Sequence, residues 1–151
     1  MIQSLMLMIV LAAPPDAQWK PFEFLLGDWV GEGTGGAGAF SFEPALGGKV
    51  LVRKNHSGEH EDMLVVSRKS PAAPYRATYW DNEGHVMEYT VTATDAPATL
   101  LFVSDANPNE PRFRLTYTQT ARGAVSIVFE IAPPGKPEAF GKYLEGRARR
   151  R

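Results

Sequence analysis

Three histidines, His56, His60 and His85, are the side chains of this sequence best suited to acid–base or metal chemistry. They lie in or beside two short acidic turns, "HSGEH" and "NEG". A hairpin loop of residues 82–84 would place Asp81 directly opposite His85. A carboxylate in that position fixes the imidazole tautomer and raises its basicity. The pair is therefore a candidate binding or acid–base group.

Two interpretations of these turns stay open. With Glu59, Glu61 and Asp62, the histidines could ligate a metal. Alternatively, the turns are ordinary solvated loops that contain one hydrogen-bonded Asp–His pair. Because the spacing matches no established ligand motif, we expect no metal. We also expect substitution of His85 to weaken ligand binding and substitution of His60 to do little.

Other kinds of chemistry find little support in the composition. Cysteine is absent, which excludes disulfides, thiol nucleophiles and thiolate metal sites. No nucleophile elbow, phosphate loop or zinc-protease motif is present in the sequence. The formal net charge of −1 gives no electrostatic basis for nucleic-acid binding. We therefore expect no cofactor and no nucleic-acid partner.

The elements that must position the histidines are β-strands. From Trp19 onward, runs rich in Val, Thr, Tyr and Phe alternate with short turn clusters, and only the lead-in "WKPFEFLL" favours a helical turn. Short connections predict antiparallel pairing of consecutive strands. About ten strands are predicted, at residues 29–33, 39–43, 49–55, 61–68, 75–81, 85–92, 99–104, 111–120, 124–131 and 140–149.

Two predicted hairpins show which side chains share a face. A loop at residues 121–123 joins two strands that match apolar with apolar residues on one face and Arg114 with Glu130 on the other. We expect that ion pair on the outside of the protein. The loop at residues 82–84 likewise places apolar residues together. The predicted inward residues, which are either ligand-lining or plain core, are Tyr79, Met87, Tyr89 and Tyr117.

A run of hairpins this long is expected to close on itself, because closure removes the free edges. The predicted fold is all-β, a closed antiparallel up-and-down barrel that encloses a cavity. Trp29 shares a strand face with Gly31, Gly33 and Gly35, and Gly27 precedes it in the same motif. Trp29 would plug the end where the chain enters. The glycines Gly31 and Gly33 would let the wall bend and let another group lie close to the backbone.

The segment "GDWVGEGTG", residues 27–35, resembles the Gly-x-Trp-x-Gly-x-Gly-x-Gly pattern of nitrobindin-like proteins and, more broadly, the start of lipocalin-type (calycin) barrels. The segments "FSFEPALGGKVLV", "YWDNEGHVMEY", "RFRLTYTQT" and "FEIAPPG" also resemble an uncharacterised bacterial family of exported lipocalin-like proteins. The resemblance implies that an arginine of the last strand covers Trp29, with Arg147 the first candidate and Arg149 the second. Nitrobindins bind haem through a late histidine; this chain has none after His85, so haem does not carry over.

The first 18 residues differ from the rest. Residues 2–13 are apolar but too short to span a bilayer, and small and turn-forming residues follow them. We expect residues 1–18 to be a signal peptide and residues 19–151 to be one domain, with a periplasmic or secreted location. The alternative is an uncleaved N-terminus.

Alternate loops of an up-and-down barrel share an end, so the three histidines should gather at one rim. With ten strands that rim is opposite Trp29; if residues 29–43 form one strand, it is the plugged end.

The predicted function is binding of a small, largely apolar molecule inside the barrel. The alternatives are an enzyme that uses the Asp–His pair, and a filled barrel that serves protein interaction. The expected partner is a small hydrophobic molecule, and the oligomeric state stays open. The expected ligand-binding residues are His85, Asp81, His56, Tyr79, Met87, Tyr89 and Tyr117.

Overall fold

The computed structural model of the protein describes residues 17–33 and 38–151. Residues 1–16 of the expected signal peptide and residues 34–37 of the glycine-rich motif lie outside the described residues. A 3₁₀ helix (Ala17–Leu25) is followed by the strands β1 (Gly27–Glu32), β2 (Ala39–Ala45), β3 (Val50–Ser57), β4 (His60–Ser67), β5 (Tyr75–Asp81), β6 (Val86–Asp95), β7 (Ala98–Ser104), β8 (Arg112–Ala121), β9 (Ala124–Ala132) and β10 (Gly141–Arg150).

The ten strands form a closed barrel, as predicted. Each strand pairs antiparallel with its neighbours in the chain, and β1 pairs with β10 to close the wall. Most strands alternate apolar inward positions with polar outward ones, which is the pattern that a closed sheet around a core requires.

The two predicted hairpin registers are confirmed. In β8 and β9, Phe113 faces Ile131 and Leu115 faces Phe129, while Arg114 lies beside Glu130 on the outer face. In β5 and β6, Tyr79 faces Met87. One detail differs: a bulge after Gln119 shifts the register, so Ala121 rather than Thr120 faces Ala124.

The 3₁₀ helix covers one end of the barrel. Its side chains Trp19, Phe22 and Leu25 are buried. The Trp19 indole Nε1 donates a hydrogen bond to the Gly48 carbonyl, 2.7 Å away, in the β2–β3 turn. Since that turn lies at the opposite end from the β3–β4 and β5–β6 loops, the histidine-bearing rim is at the end that the helix leaves uncovered.

Trp29 is buried as expected, and its Nε1 donates to the Leu25 carbonyl at 2.8 Å. Gly33 does not have the close neighbour that the prediction gave it. Gly33 lies beyond the end of β1 at φ +85°, and apart from its chain neighbours no atom of the described residues lies within 4 Å of where its Cβ would be. The close approach occurs at Gly27, where a Cβ would lie 3.0 Å from Arg150 Nη1. Gly31 faces Ala148 in β10.

The arginine over Trp29 is Arg150, not Arg147 or Arg149. Its guanidinium carbon lies 4.8 Å from the indole centroid, and its nitrogens donate to the carbonyls of Phe24 and Leu26. Trp29 faces Arg150 directly, and Arg147 faces Glu32. Because side chains alternate along a strand, Arg147 and Arg149 point outward, away from the indole.

Candidate functional site

A buried ion pair lies inside the barrel below the histidine-bearing rim. Arg53 of β3 and Asp62 of β4 face inward in the same rows as buried Leu51 and Leu64. Arg53 Nη2 donates to Asp62 Oδ1 at 2.7 Å, and the side chains are 9% and 4% exposed. Within residues 17–33 and 38–151, Arg53 Nε is buried without a hydrogen-bond partner. The pair therefore leaves one strong donor unmatched.

The second oxygen of Asp62 joins this pair to the rim. Asp62 Oδ2 accepts from Asn55 Nδ2 at 2.8 Å and lies 3.1 Å from His60 Nε2. The other nitrogen of His60 lies 3.3 Å from a carboxylate oxygen of Glu83 in the β5–β6 loop. A continuous polar chain thus runs from the interior to the loops.

Asp81 forms a second cluster beside the first. Its Oδ2 lies 2.9 Å from His85 Nδ1 and accepts from the Tyr79 hydroxyl at 3.1 Å. Its Oδ1 accepts from the backbone N–H groups of Glu83 and His85. Burial alone would raise the pKa of Asp81, but these hydrogen bonds from His85, Tyr79 and Glu83 lower it overall.

Three tyrosines surround the buried guanidinium. Burial raises the pKa of Tyr79, Tyr89 and Tyr117, and the positive charge of Arg53 opposes that rise in each. All three hydroxyls therefore stay protonated at neutral pH. The Tyr89 hydroxyl points to Met87 Sδ at 3.5 Å. The predicted lining residues thus surround a charge that the prediction did not include.

The structure places most of the expected residues together, with two differences. His56 faces outward beside Glu61, with its Nδ1 3.4 Å from Glu61 Oε1, and does not join the interior cluster. His60, expected in a solvated turn, is 33% exposed and contacts Asp62, whereas the His85 side chain is 63% exposed. His85 keeps its predicted contact with Asp81, but His60 reaches deeper into the barrel.

Arg53, Asn55, His60 and Asp62 complete the cluster and are not among the residues expected to bind ligand. A signal for them exists in the sequence. Arg53 and Asn55 lie two and four residues after Leu51, and Asp62 lies two residues before Leu64. Side chains spaced by two residues in a strand share a face, so this spacing alone puts the polar groups on the apolar, inward face. Polar residues on such a face point to a buried site.

One group of residues has the donor types for a metal. Among the described residues, Asp81, Glu83 and His85 bring one potential ligand atom each to within 4.8 Å of one another. Glu83 and His85 are exposed, and the Asp81 oxygens already accept the hydrogen bonds described above.

Aromatic rings fill the middle of the interior, and apolar side chains accompany the polar cluster near the rim. Ring centroids of Phe42, Phe102, Tyr89 and Tyr117 approach one another at 5.6 to 6.3 Å. Toward the rim, the inward side chains are only partly buried, which leaves apolar surface inside the barrel. The partly buried inward residues at this end are Tyr79, Met87, Phe113 and Phe129.

A groove of about 640 Å³ crosses strands β1 to β5. Its lining includes one outward-facing row of cross-strand neighbours, Asp28, Ser41, Lys54, Met63 and Trp80. Met63 and Trp80 are each 40% exposed, and Val86 beside Trp80 is 60% exposed. The same groove is also lined by the inward residues Asn55, Asp62 and Asp81, so it extends from this outer row to the polar cluster.

No protein-family model matches the chain, and no curated protein matches it in sequence. No helix in the described part of the chain combines the length and apolar character needed to cross a bilayer.

Proposed function

We propose that the barrel binds a small, largely apolar molecule in its interior, near the rim that the 3₁₀ helix leaves uncovered. The observation that carries this proposal is the buried Arg53 Nε, which finds no partner among the described residues. A buried N–H left unmatched costs about 1–3 kcal/mol. A ligand that places an acceptor atom beside Nε would remove that cost.

The surface around Arg53 supports the same proposal. Tyr79 and Met87 on one wall and Phe113 and Phe129 on the facing wall are inward and only partly buried. Ligand sites typically combine such apolar walls with a few convergent polar groups. The apolar body of the ligand would contact these side chains, and its polar end would lie against Arg53.

Titration with N-phenyl-1-naphthylamine, a neutral apolar fluorophore, tests the proposal. Met87→Trp places a bulky indole ring in the interior, and Val86→Trp places the same ring on the outer face one residue away. We expect Met87→Trp to weaken binding about tenfold or more, since ~1.4 kcal/mol of steric cost suffices. Val86→Trp should bind as the unmodified protein does.

Equal affinity in both variants would refute interior binding. If Trp80→Ser then abolished binding, the outer groove would be the site, and the filled barrel with an interacting outer face would replace the present proposal.

The Asp–His contacts also support a second candidate, an enzyme that acts on the same ligand. His60 beside Asp62 and His85 beside Asp81 are each within hydrogen-bond distance of a carboxylate, which orients an imidazole and raises its basicity for general acid–base catalysis. Chemical conversion of the bound molecule, lost in His60→Ala or His85→Ala while binding persists, would support this candidate.

We also propose export of the protein, which rests on the apolar residues 2–13 and the small residues that follow them. Mass spectrometry of the mature protein from its native host tests this. An N-terminus near residue 18 supports export, and an intact Met1 contradicts it.

A further inference from the structure

We infer that the polar end of the ligand is a neutral oxygen acceptor, such as the carbonyl of an apolar ketone, ester or amide, and that the barrel rejects carboxylates. This inference rests on the interior binding proposed above. It concerns the charge of the ligand's polar end, on which the charged groups around Arg53 act.

The carboxylates already inside the rim disfavour the binding of an anion. Arg53 is paired with Asp62 at 2.7 Å, and Asp81 contributes a second carboxylate close by. The Asp62 and Asp81 side chains are each only 4% exposed. The surroundings of Tyr79 therefore hold one guanidinium and two shielded carboxylates, and a ligand carboxylate would add a further negative charge. Burying a charge without a partner is costly, so that arrangement is disfavoured.

Asp62 is held too firmly to leave in favour of a ligand. Besides Arg53, it accepts from Asn55 and lies 3.1 Å from His60 Nε2. Displacing it would break all three contacts and leave a buried carboxylate unpaired. A carboxylate binds guanidinium best through two parallel hydrogen bonds. Asp62 already uses one of the nitrogens needed for that arrangement.

The nitrogen of Arg53 that is buried without a partner in the described residues is Nε, and it carries a single N–H group. Arg53 Nε, which lacks a partner in the described residues, matches one lone pair of one oxygen. A neutral carbonyl supplies that lone pair without adding charge. The apolar side chains Tyr79 and Met87 accommodate the rest of such a molecule.

A matched pair of probes tests the inference: 6-dimethylamino-2-naphthoic acid, an anion at about pH 7.5, and its neutral methyl ester. Both carry the same ring system, and their fluorescence reports binding. We expect the unmodified protein to bind the ester about tenfold or more tightly than the acid. An acid that binds as tightly as the ester overturns the inference.

Asp62→Asn removes one buried negative charge and keeps the side-chain shape. We expect it to tighten binding of the acid about tenfold while ester binding changes no more than about threefold. Glu61→Gln, one residue away on the outer face, is the control and should leave both affinities unchanged. An unchanged acid-to-ester ratio in folded Asp62→Asn contradicts the inference. If that variant does not fold, the ratio in the unmodified protein decides.

N-phenyl-1-naphthylamine separates the two failures. If it binds in the interior and the ester does not, the carbonyl inference is wrong and the proposed function stands. If none of the three probes binds, the proposed function fails as well.

Discussion

At the scale of single residues, the Arg53–Asp62 pair organises the interior near the rim. Asp62 links Arg53 and Asn55 of β3 to His60 at the start of β4. His60 in turn contacts Glu83 in the β5–β6 loop. Removing one partner of a buried pair costs about 3–5 kcal/mol, because the other charge stays buried. Because Asp62 also contacts Asn55 and His60, the ion pair holds Arg53, and with it the unmatched Nε, in one position.

Asp81 should make stability depend on pH in the acid range. Its folded-state pKa lies below the ordinary value of 3.8, so it stabilises the fold above that pH and the contribution disappears as the pH falls through the lowered pKa. We expect Asp81→Asn to lower the melting temperature by about 5 °C near neutral pH. The difference from the unmodified protein should shrink below pH 3.8.

Thermal melts of both proteins across the acid range measure this. Glu59→Gln, an exposed loop substitution, is the control and should follow the unmodified protein. A difference that stays constant down to the lowest pH would contradict the assigned hydrogen bonds.

Arg150 should stabilise the closed end of the barrel more than its neighbours do. Its guanidinium lies over Trp29 and donates to the Phe24 and Leu26 carbonyls. We expect Arg150→Ala to lower the free energy of unfolding by about 1–2 kcal/mol. Arg147→Ala, outward on the same strand, should cost less than about 0.5 kcal/mol. Denaturant unfolding measures both, and equal losses would mean that the contact over Trp29 contributes nothing.

At the scale of elements, the strands are readable from the sequence because most of them alternate cleanly. In β8 and β9 the register follows from matching Phe113 with Ile131 and Arg114 with Glu130, since a one-residue slip would bury the charges. Alternation is broken in β3 and β4 by Arg53, Asn55 and Asp62, which are polar yet inward. Their role depends on contacts between strands, and composition alone does not reveal such contacts.

The last strand shows the same limit. Which arginine covers Trp29 depends on the bulge between Lys142 and Leu144 and on which residue of β10 pairs with Trp29. A family resemblance predicts that an arginine does so, but the register selects Arg150. Sequence patterns therefore identify the elements, and backbone irregularities decide which side chains meet.

The 3₁₀ helix should contribute most of its stability through Trp19. That side chain is fully buried, meets Phe22 edge-to-face, lies tilted against Tyr75, and donates a hydrogen bond to the Gly48 carbonyl. We expect Trp19→Ala to cost about 3–5 kcal/mol. Trp80→Ala, on the outer face, should cost less than about 1 kcal/mol. Chemical denaturation compares the two, and similar losses would show that the helix does not close the barrel end.

At the scale of the whole molecule, the barrel divides into three levels. The helix and Trp29 close one end, aromatic rings fill the middle, and polar groups with partly buried apolar walls lie toward the rim. This order places the unmatched Arg53 donor on the rim side of the aromatic filling. Interior binding therefore needs no opening of the closed end.

A crystal structure grown with the methyl ester of 6-dimethylamino-2-naphthoic acid tests this account most directly. The account predicts density inside the barrel, with the carbonyl oxygen about 3 Å from Arg53 Nε and the rings against Tyr79 and Met87. Density only in the outer groove against Trp80, or an interior holding nothing but water at Arg53, would contradict it.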